Sequence, residues 1–350
     1  MSAAIATGRW TRNQLPTRLR IGTRRSALAI TQTRWLADRI TASLKEAGHP
    51  VSVELVEVTS EGDVSTAPLS SLGGSGVFVS SLREALLDGR IDLAVHSLKD
   101  MPTAPAQGLT IAAIPVREDP RDVLVAGHGR TVSQLPRGAR IGTGSPRRAA
   151  QLRALRLGLD VVDIRGNVDT RLRKVADGTV DGVLLARAGL LRLGRDHEVT
   201  EILDPELMLP APGQGALAAE ARADDVPVLT ALATVDDPLT HACVAAERVL
   251  LARLEAGCAA PIGALAVTDG GGGGQLVLQA VAGAVDGSVM LRRSARAPYP
   301  GVTSDLSAAI ALGESLAADL LNAGAASLIP GGAPSSIPCD SSPPAREGEL

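Results

Sequence analysis

Hydrophobic and polar positions alternate between two periods along most of the chain. Leu19–Thr23 is a short extended run, and Ser26 after it carries the hydroxyl of a helix N-cap. Residues 27–47 place Leu28, Ile30, Leu36, Ile40 and Leu44 near one face, which predicts an amphipathic helix ending at Gly48. Val51–Val58 reads as a strand, 59–76 as a long Ser-, Gly- and Thr-rich loop, 77–89 as a helix and 91–95 as a strand. This β-α-β-α-β rhythm predicts an α/β domain with a largely parallel sheet. A second series begins near Asp122, with strands at 122–126, 139–142, 160–164 and 181–186 and helices at 146–157 and 168–177. Pro210, Pro212 and Gly213 mark a return toward the first domain. Asp237-Pro238 has the N-cap and first-turn residues of a helix that stops at Gly257. Strands at 263–268, 275–283 and 288–293 and a helix at 304–323 form a smaller α+β unit, with Gly270–Gly274 as its first loop.

The expected organisation follows. A first α/β domain takes residues 19–117 and 213–234, a second takes 118–212, and a small α+β domain takes 235–328. Residues 1–18 and 329–350 lack any apolar period and are expected to be disordered tails. The phrases RIGTRRS (20–26) and RIGTGSPRR (140–148) echo each other. Each places a strand, a tight turn and a helix N-terminus at one spot, so two facing domains would bring two anion-binding helix ends to one cleft.

Composition narrows the function. The 350 residues are 45% hydrophobic with a net charge of −3, an ordinary globular balance that excludes the disordered class. Apolar stretches are cut by charge well before 18 residues, so no membrane span is expected. Cys243, Cys258 and Cys339 are too few for a disulfide scaffold and lack zinc-site spacing, which fits a reducing compartment, the cytoplasm. The near absence of aromatics removes the stacking platforms of single-strand nucleic-acid binding. Only three of the 35 basic residues are lysines, and arginine is the better fork for carboxylates.

Candidate chemistry gathers in three places. Residues 140–174 carry nine basic residues against three acids, which reads either as a solvated helix face or as arginines aimed into a cleft. Arg147 and Arg148 follow the turn Gly142–Ser145, and Arg165 and Arg171 bracket Gly166-Asn167. Such turns at strand ends are the ligand positions of α/β sheets, and these would suit a ligand with several carboxylates. In VHSLKDMP (95–102), Asp100 stands beside Lys99 and near His96, where a carboxylate could accept from a substrate NH or steady a developing cation. Cys258, in EAGCAAPIG, follows a helix C-terminus, where the helix dipole opposes a thiolate, so it reads either as a buried small hydrophobe or as a group activated from across the cleft. No metal-ligand cluster is evident.

Together these segments resemble the porphobilinogen deaminase (hydroxymethylbilane synthase) family. The matching phrases are RIGTRRSALA (20–29), LGGSGVF (72–78), IDLAVHSLKDMPT (91–103), REDPRD (117–122), IGTGSPRRAAQL (141–152), IRGNVDTRL (164–172), LPAPGQGAL (209–217) and RLEAGCAAPIGA (253–264). The resemblance implies a fold of two doubly wound α/β domains forming a cleft like that of periplasmic binding proteins, with a small α+β third domain. It implies a transferase that joins four porphobilinogens head to tail, releases ammonia and yields hydroxymethylbilane for tetrapyrrole and haem biosynthesis. It implies a dipyrromethane primer held by a thioether to Cys258 and a catalytic carboxylate at Asp100. The implied binding set is Arg24, Ser26, Lys99, Thr143, Ser145, Arg147, Arg148, Arg165, Arg171 and Arg192, holding acetate and propionate groups. The loop 59–76, with Gly73 and Gly74, resembles the family's lid, and Phe78 its aromatic near the cofactor. A cytoplasmic monomer without nucleic-acid or membrane partners is implied.

The chain departs from the family pattern in places. Ser71 and Ser75 stand where lid lysines are common, Pro146 where leucine is common and Asp169 where glycine is common, with Asp169 expected to weaken anion binding locally. Two other readings compete: a clamshell that only binds polycarboxylates, in which Cys258 has no role, and an RNA-binding surface at 140–174.

Overall fold

A computed structural model describes residues 15–59, 77–254, 260–269, 274–299, 301 and 305–329. The first part runs β1 (Arg18–Thr23), α1 (Ala27–Glu46), β2 (Ser52–Glu57), α2 (Val77–Leu87), β3 (Leu93–Ser97), a one-turn 3-10 helix at Leu98–Asp100 and β4 (Leu109–Ala113). The second part runs β5 (Asp122–Ala126), β6 (Arg140–Gly142), α3 (Pro146–Ala154), β7 (Asp160–Val162), α4 (Val168–Ala176), β8 (Gly182–Ala186), α5 (Arg187–Arg192) and β9 (Glu201–Ile202). The chain then returns through β10 (Leu217–Arg222) and α6 (Val226–Ala233). The last part is α7 (Pro238–Arg253), β11 (Ile262–Asp269), β12 (Gln275–Gly283), β13 (Met290–Pro298) and α8 (Ser307–Asn322).

The two larger sheets share one plan. Their orders are β2-β1-β3-β10-β4 and β7-β6-β8-β5-β9. In each, three parallel strands are followed by one antiparallel strand, β10 in the first and β5 in the second. β1 and β6 therefore hold equivalent places, and the echoing phrases 20–26 and 140–148 are structural counterparts. The chain crosses between the sheets twice, at 114–121 and 203–216.

Helices cover both faces of each sheet, the doubly wound arrangement. In the first, Leu36, Ile40 and Leu44 of α1 pack with Leu19, Ile21, Leu93 and Val95, while Leu82 and Leu86 of α2 pack with Ile91 and Ala94 on the opposite face. In the second, Leu152 of α3 joins Ile141, Leu124 and Leu184, while Leu172 and Leu190 join Val123, Val183 and Leu185. Burying each such aliphatic side chain contributes about 1.5–3 kcal/mol. The third sheet, β11-β12-β13, is antiparallel and packs α7 and α8 through Ala246, Leu250, Leu316 and Leu320.

Most sequence-predicted elements hold to within a few residues, and 122–126 and 275–283 match at both ends. Several details differ. Leu28 and Ile30 are half-buried and outside the core. Leu28 turns toward α5, where a Cβ added to Gly189 would lie 3.7 Å from it. β3 begins two residues later than expected, because Asp92 is drawn to Arg20, 2.6 Å away. β13 extends to Pro298, past the expected end at 293. β4, β9, β10, α5 and α6 were not expected from the pattern. Most of both tails, most of the 59–76 loop and most of the glycine run at 270–274 lie outside the described residues, but the N-terminal tail ends earlier than expected: Leu15 packs on the first core and Arg18 opens β1.

Candidate active site

The candidate side chains stand at the carboxyl ends of parallel strands. Arg24 and Ser26 follow β1, Lys99 and Asp100 follow β3, and Thr143, Ser145, Arg147 and Arg148 follow β6. Arg165 and Arg171 lie beyond β7, and Arg192 ends the helix that follows β8. Ser26 caps α1, its hydroxyl accepting from Ala29 N at 3.3 Å. Ser145 caps α3 without a side-chain cap bond, and Pro146 takes the first-turn position that tolerates proline. The Thr143 hydroxyl is buried and accepts from Ser145 N at 3.1 Å. Gly144 is needed here, because a Cβ would meet the Ile164 carbonyl oxygen at 2.8 Å.

Of the nine basic residues at 140–174, Arg147 and Arg148 are buried, while Arg140, Arg156, Arg165 and Arg173 are exposed, so the solvated-face reading holds for part of the segment and fails for these two. Both are paired with Asp122 at the start of β5. Arg147 Nη1 donates to Asp122 Oδ2 at 2.7 Å and to the Leu209 carbonyl at 2.6 Å. Arg148 donates to Asp122 Oδ1 through Nε at 3.0 Å and Nη2 at 2.7 Å, and to the Leu184 carbonyl at 2.9 Å. Burial alone would raise the Asp122 carboxyl, but the two guanidiniums hold it far below the usual range. One carboxylate between two cations leaves a net positive cluster, and among the described residues Arg147 Nε is buried without a hydrogen-bond partner. That charge and that donor suit an anionic group.

Lys99 is half-buried, and its Nζ donates to Gln214 Oε1 at 3.3 Å. Burial draws the ammonium down to about 8; Asp100 and Asp122 pull it up, and Arg148 and Arg147 push it further down. Asp100 is exposed beside it. Arg171 donates through Nε to the Gly166 carbonyl at 2.8 Å. Its guanidinium is lowered by burial and then by Arg148, with Asp163 and Asp100 opposing, so Asp100 shares one electrostatic neighbourhood with Lys99, Arg148 and Arg171. Arg192 donates to the Gly215 carbonyl at 2.6 Å, and burial lowers it to about 10. Arg165 is exposed, 3.7 Å from Asp163.

His96 takes a structural place: it is buried against Glu220, 3.1 Å away, and Glu220 also accepts from Arg83 at 2.9 Å. One expectation is corrected. Asp169 does not sit loose among the arginines, because Arg195 pairs with it. Phe78 falls in the first turn of α2. Cys258, Gly73 and Gly74 lie outside the described residues.

Sequence reasoning missed Asp122, Gln214 and Glu247. Asp122 had a signal: a lone acid opening the apolar strand DVLVA must meet a cation once buried. Among the described residues no cluster of three His, Cys, Asp or Glu could hold a metal, and no helix is long and apolar enough to cross a membrane.

Comparison with known proteins decides the family. Residues 19–230 match the family described as porphobilinogen deaminase, dipyromethane cofactor binding domain, and residues 241–322 match porphobilinogen deaminase, C-terminal domain. The chain belongs to the porphobilinogen deaminase family. It is 53% identical over 317 residues to porphobilinogen deaminase 1 of Streptomyces coelicolor, covering 89% of this chain and 97% of that one. It is 53% identical over 319 residues to the deaminase of Nocardia farcinica, covering 89% and 88%. The Mycobacterium tuberculosis deaminase is 51% identical over 317 residues, covering 89% and 98%. Among solved structures, a putative methionine-binding lipoprotein from Bacillus subtilis aligns with a TM-score of 0.40 at 11% identity, covering 64% of this chain and 92% of that one. Membership of the porphobilinogen deaminase family makes the chain a transferase of tetrapyrrole synthesis, acting on porphobilinogen and carrying a dipyrromethane cofactor.

Proposed function

We propose that the turns after β1, β3, β6 and β7 form one site for porphobilinogen and the growing pyrrole chain, with Asp100 as its catalytic carboxylate. The observation that carries this reading is the grouping of Asp100 with Lys99, Arg148 and Arg171 around a buried, net-cationic cluster. Each pyrrole brings two carboxylates, and guanidiniums bind such groups in bidentate fashion. Lys99, Arg147, Arg148 and Arg171 would hold the dipyrromethane, with the Arg147 Nε as an available donor. Arg24, Ser26, Thr143, Ser145, Arg165 and Arg192 complete the set that holds the acetates and propionates. The cofactor supplies a covalently held pyrrole terminus to which substrate is added, attached through Cys258.

Asp100 has two tasks. Its carboxylate accepts from the pyrrole NH of the incoming substrate, which orients the ring. It also steadies the positive charge that develops on the substrate as ammonia leaves, a role that needs a fixed anion and no proton donor. Its exposure gives substrate access from the open side of the turn. The loop 59–76, with Gly73 and Gly74, acts as the lid that excludes water during condensation, and Phe78 just after it is the aromatic near the cofactor. The enzyme works as a cytoplasmic monomer without nucleic-acid partners.

The deciding experiment is the intact mass of the denatured chain and of its Cys258→Ser variant, each after incubation with porphobilinogen. A gain of two porphobilinogens less two ammonias, absent from the variant, is expected. A wild-type chain that gains nothing, or a variant that gains the same mass, would sink the assignment of Cys258.

A further inference from the structure

The second interdomain crossing places a neutral side chain, Gln214, between the Lys99–Asp100 turn and the Asp122–arginine cluster. Gln214 is 1% exposed. Its amide nitrogen donates to the Pro120 carbonyl at 2.7 Å and to Asp122 Oδ1 at 2.8 Å. Its amide oxygen accepts from Lys99 Nζ at 3.3 Å. Its own backbone carbonyl accepts from Arg117 Nε at 2.7 Å. The partners dictate the amide's orientation. A carbonyl and a carboxylate accept only and an ammonium donates only, so a flipped amide would oppose all three. One side chain thus touches both crossings, the first strand of the second sheet and the lysine beside Asp100.

The arrangement answers an electrostatic problem. Lys99 is faced by Asp100 from its own turn, by Asp122 from β5 and by Arg147 and Arg148 from α3. A lysine ammonium on a flexible stem pairs with any carboxylate it can reach in a poorly hydrated site. Capture by Asp122 would take Lys99 away from Asp100 and leave Arg147 and Arg148 sharing their counter-ion with a third cation. Gln214 meets the ammonium with a dipole and Asp122 with an N–H, so neither is left bare and the two charges stay apart.

We propose that Gln214 is a positioning residue that keeps the Lys99 ammonium out of the Asp122 cluster and beside Asp100, where it meets substrate carboxylates. The inference rests on the reading of the Lys99–Asp100 turn as part of the active site. It adds a specific task to a residue that touches none of the reacting atoms.

The test uses the full chain labelled with isotopic lysine. Only Lys45, Lys99 and Lys174 give signals, and Lys45→Arg and Lys174→Arg variants assign them by elimination. The parent protein's Lys99 signal, lowered from the ordinary lysine value by burial, is the reference. In Gln214→Met the spacer keeps its bulk and loses its polarity, the ammonium closes on Asp122, and the titration moves up by about one unit or more. Turnover per substrate captured (kcat/KM) falls about tenfold, and its alkaline limb moves up with the lysine. Gln214→Leu removes the same polarity with a different shape and adds no charge, so a Met variant that fails to fold leaves the question decidable. A Lys99 titration that stays put or drops in the folded variants overturns the proposal, whatever happens to activity. If Asp100→Asn keeps normal turnover, the active-site reading fails instead, and the lysine titration still decides the role of Gln214.

Discussion

Arg117 and Glu247 meet as two parallel N–H···O bonds of 2.7 and 3.0 Å, and that pair joins the first interdomain crossing to helix α7. Glu247 is fully buried, and its carboxylate also accepts from Gly213 N at 2.6 Å and Ala266 N at 2.8 Å. Both crossings and the third sheet therefore depend on one anion. Replacing Glu247 with alanine leaves a buried guanidinium and two backbone N–H groups unmatched, and a loss of about 3–5 kcal/mol is expected. Urea unfolding of Glu247→Ala checks it, and a midpoint equal to that of the parent would show that the carboxylate holds nothing together.

Asp100 behaves in the opposite way. It is exposed and outside the cores, so Asp100→Asn should change stability by no more than about 0.5 kcal/mol. Removing the charge that steadies the developing cation should lower kcat about 100-fold or more. Initial rates of porphobilinogen consumption, measured beside thermal melts, separate the two effects. Normal rates in the folded variant would remove Asp100 from the mechanism.

Acid should unfasten a different contact. Burial favours the protonated form of Asp119, but hydrogen bonds from Arg121 and Arg187 outweigh it and hold its carboxyl at about 2. The folded value lies below the unfolded one, so this contribution is whole above pH ~4 and is lost as pH falls toward 2. It amounts to about 2 kcal/mol. Asp119→Asn should flatten the stability curve between those limits, and a curve as steep as the parent's would contradict the assignment.

Cys243 should be chemically silent. Its thiol is pushed up to about 12 by burial and then by the nearby Glu247. Alkylation of the native chain at pH ~8 should leave it unmodified, and alkylation after unfolding should modify it. Peptide mapping distinguishes these states. Rapid native labelling of Cys243 would show that the α7 core opens readily.

The sequence made the α/β rhythm legible because its strongest signals are local. Ser26 caps α1 as its hydroxyl predicts, and Asp237-Pro238 opens α7 with the Asp237 carboxylate accepting from Thr240 N at 2.7 Å. β10 was not legible. Its residues, LAAEAR, have helix-forming character, and they become a strand because β3 and β4 supply hydrogen-bonding edges on both sides. The turns carrying Arg24, Asp100 and Arg147 were visible as strand-end phrases. Gln214 was not, and Asp122 showed only that it needs a cation and not which one, since their partners lie 25 to 115 residues away and only folding makes them neighbours.

The place of β10 also bears on how the chain acquires its shape during synthesis. The second sheet is built from one continuous stretch, residues 122–202, and can assemble as soon as that stretch has emerged. The first sheet cannot, because β4 has no neighbour until β10 slots between it and β3. The N-terminal domain is thus finished after the middle one, reversing the usual order in which domains mature on the ribosome. Until residue 222 is made, the paired edges of β3 and β4 stand open to foreign strands, and that interval is when a nascent chain is most exposed to aggregation.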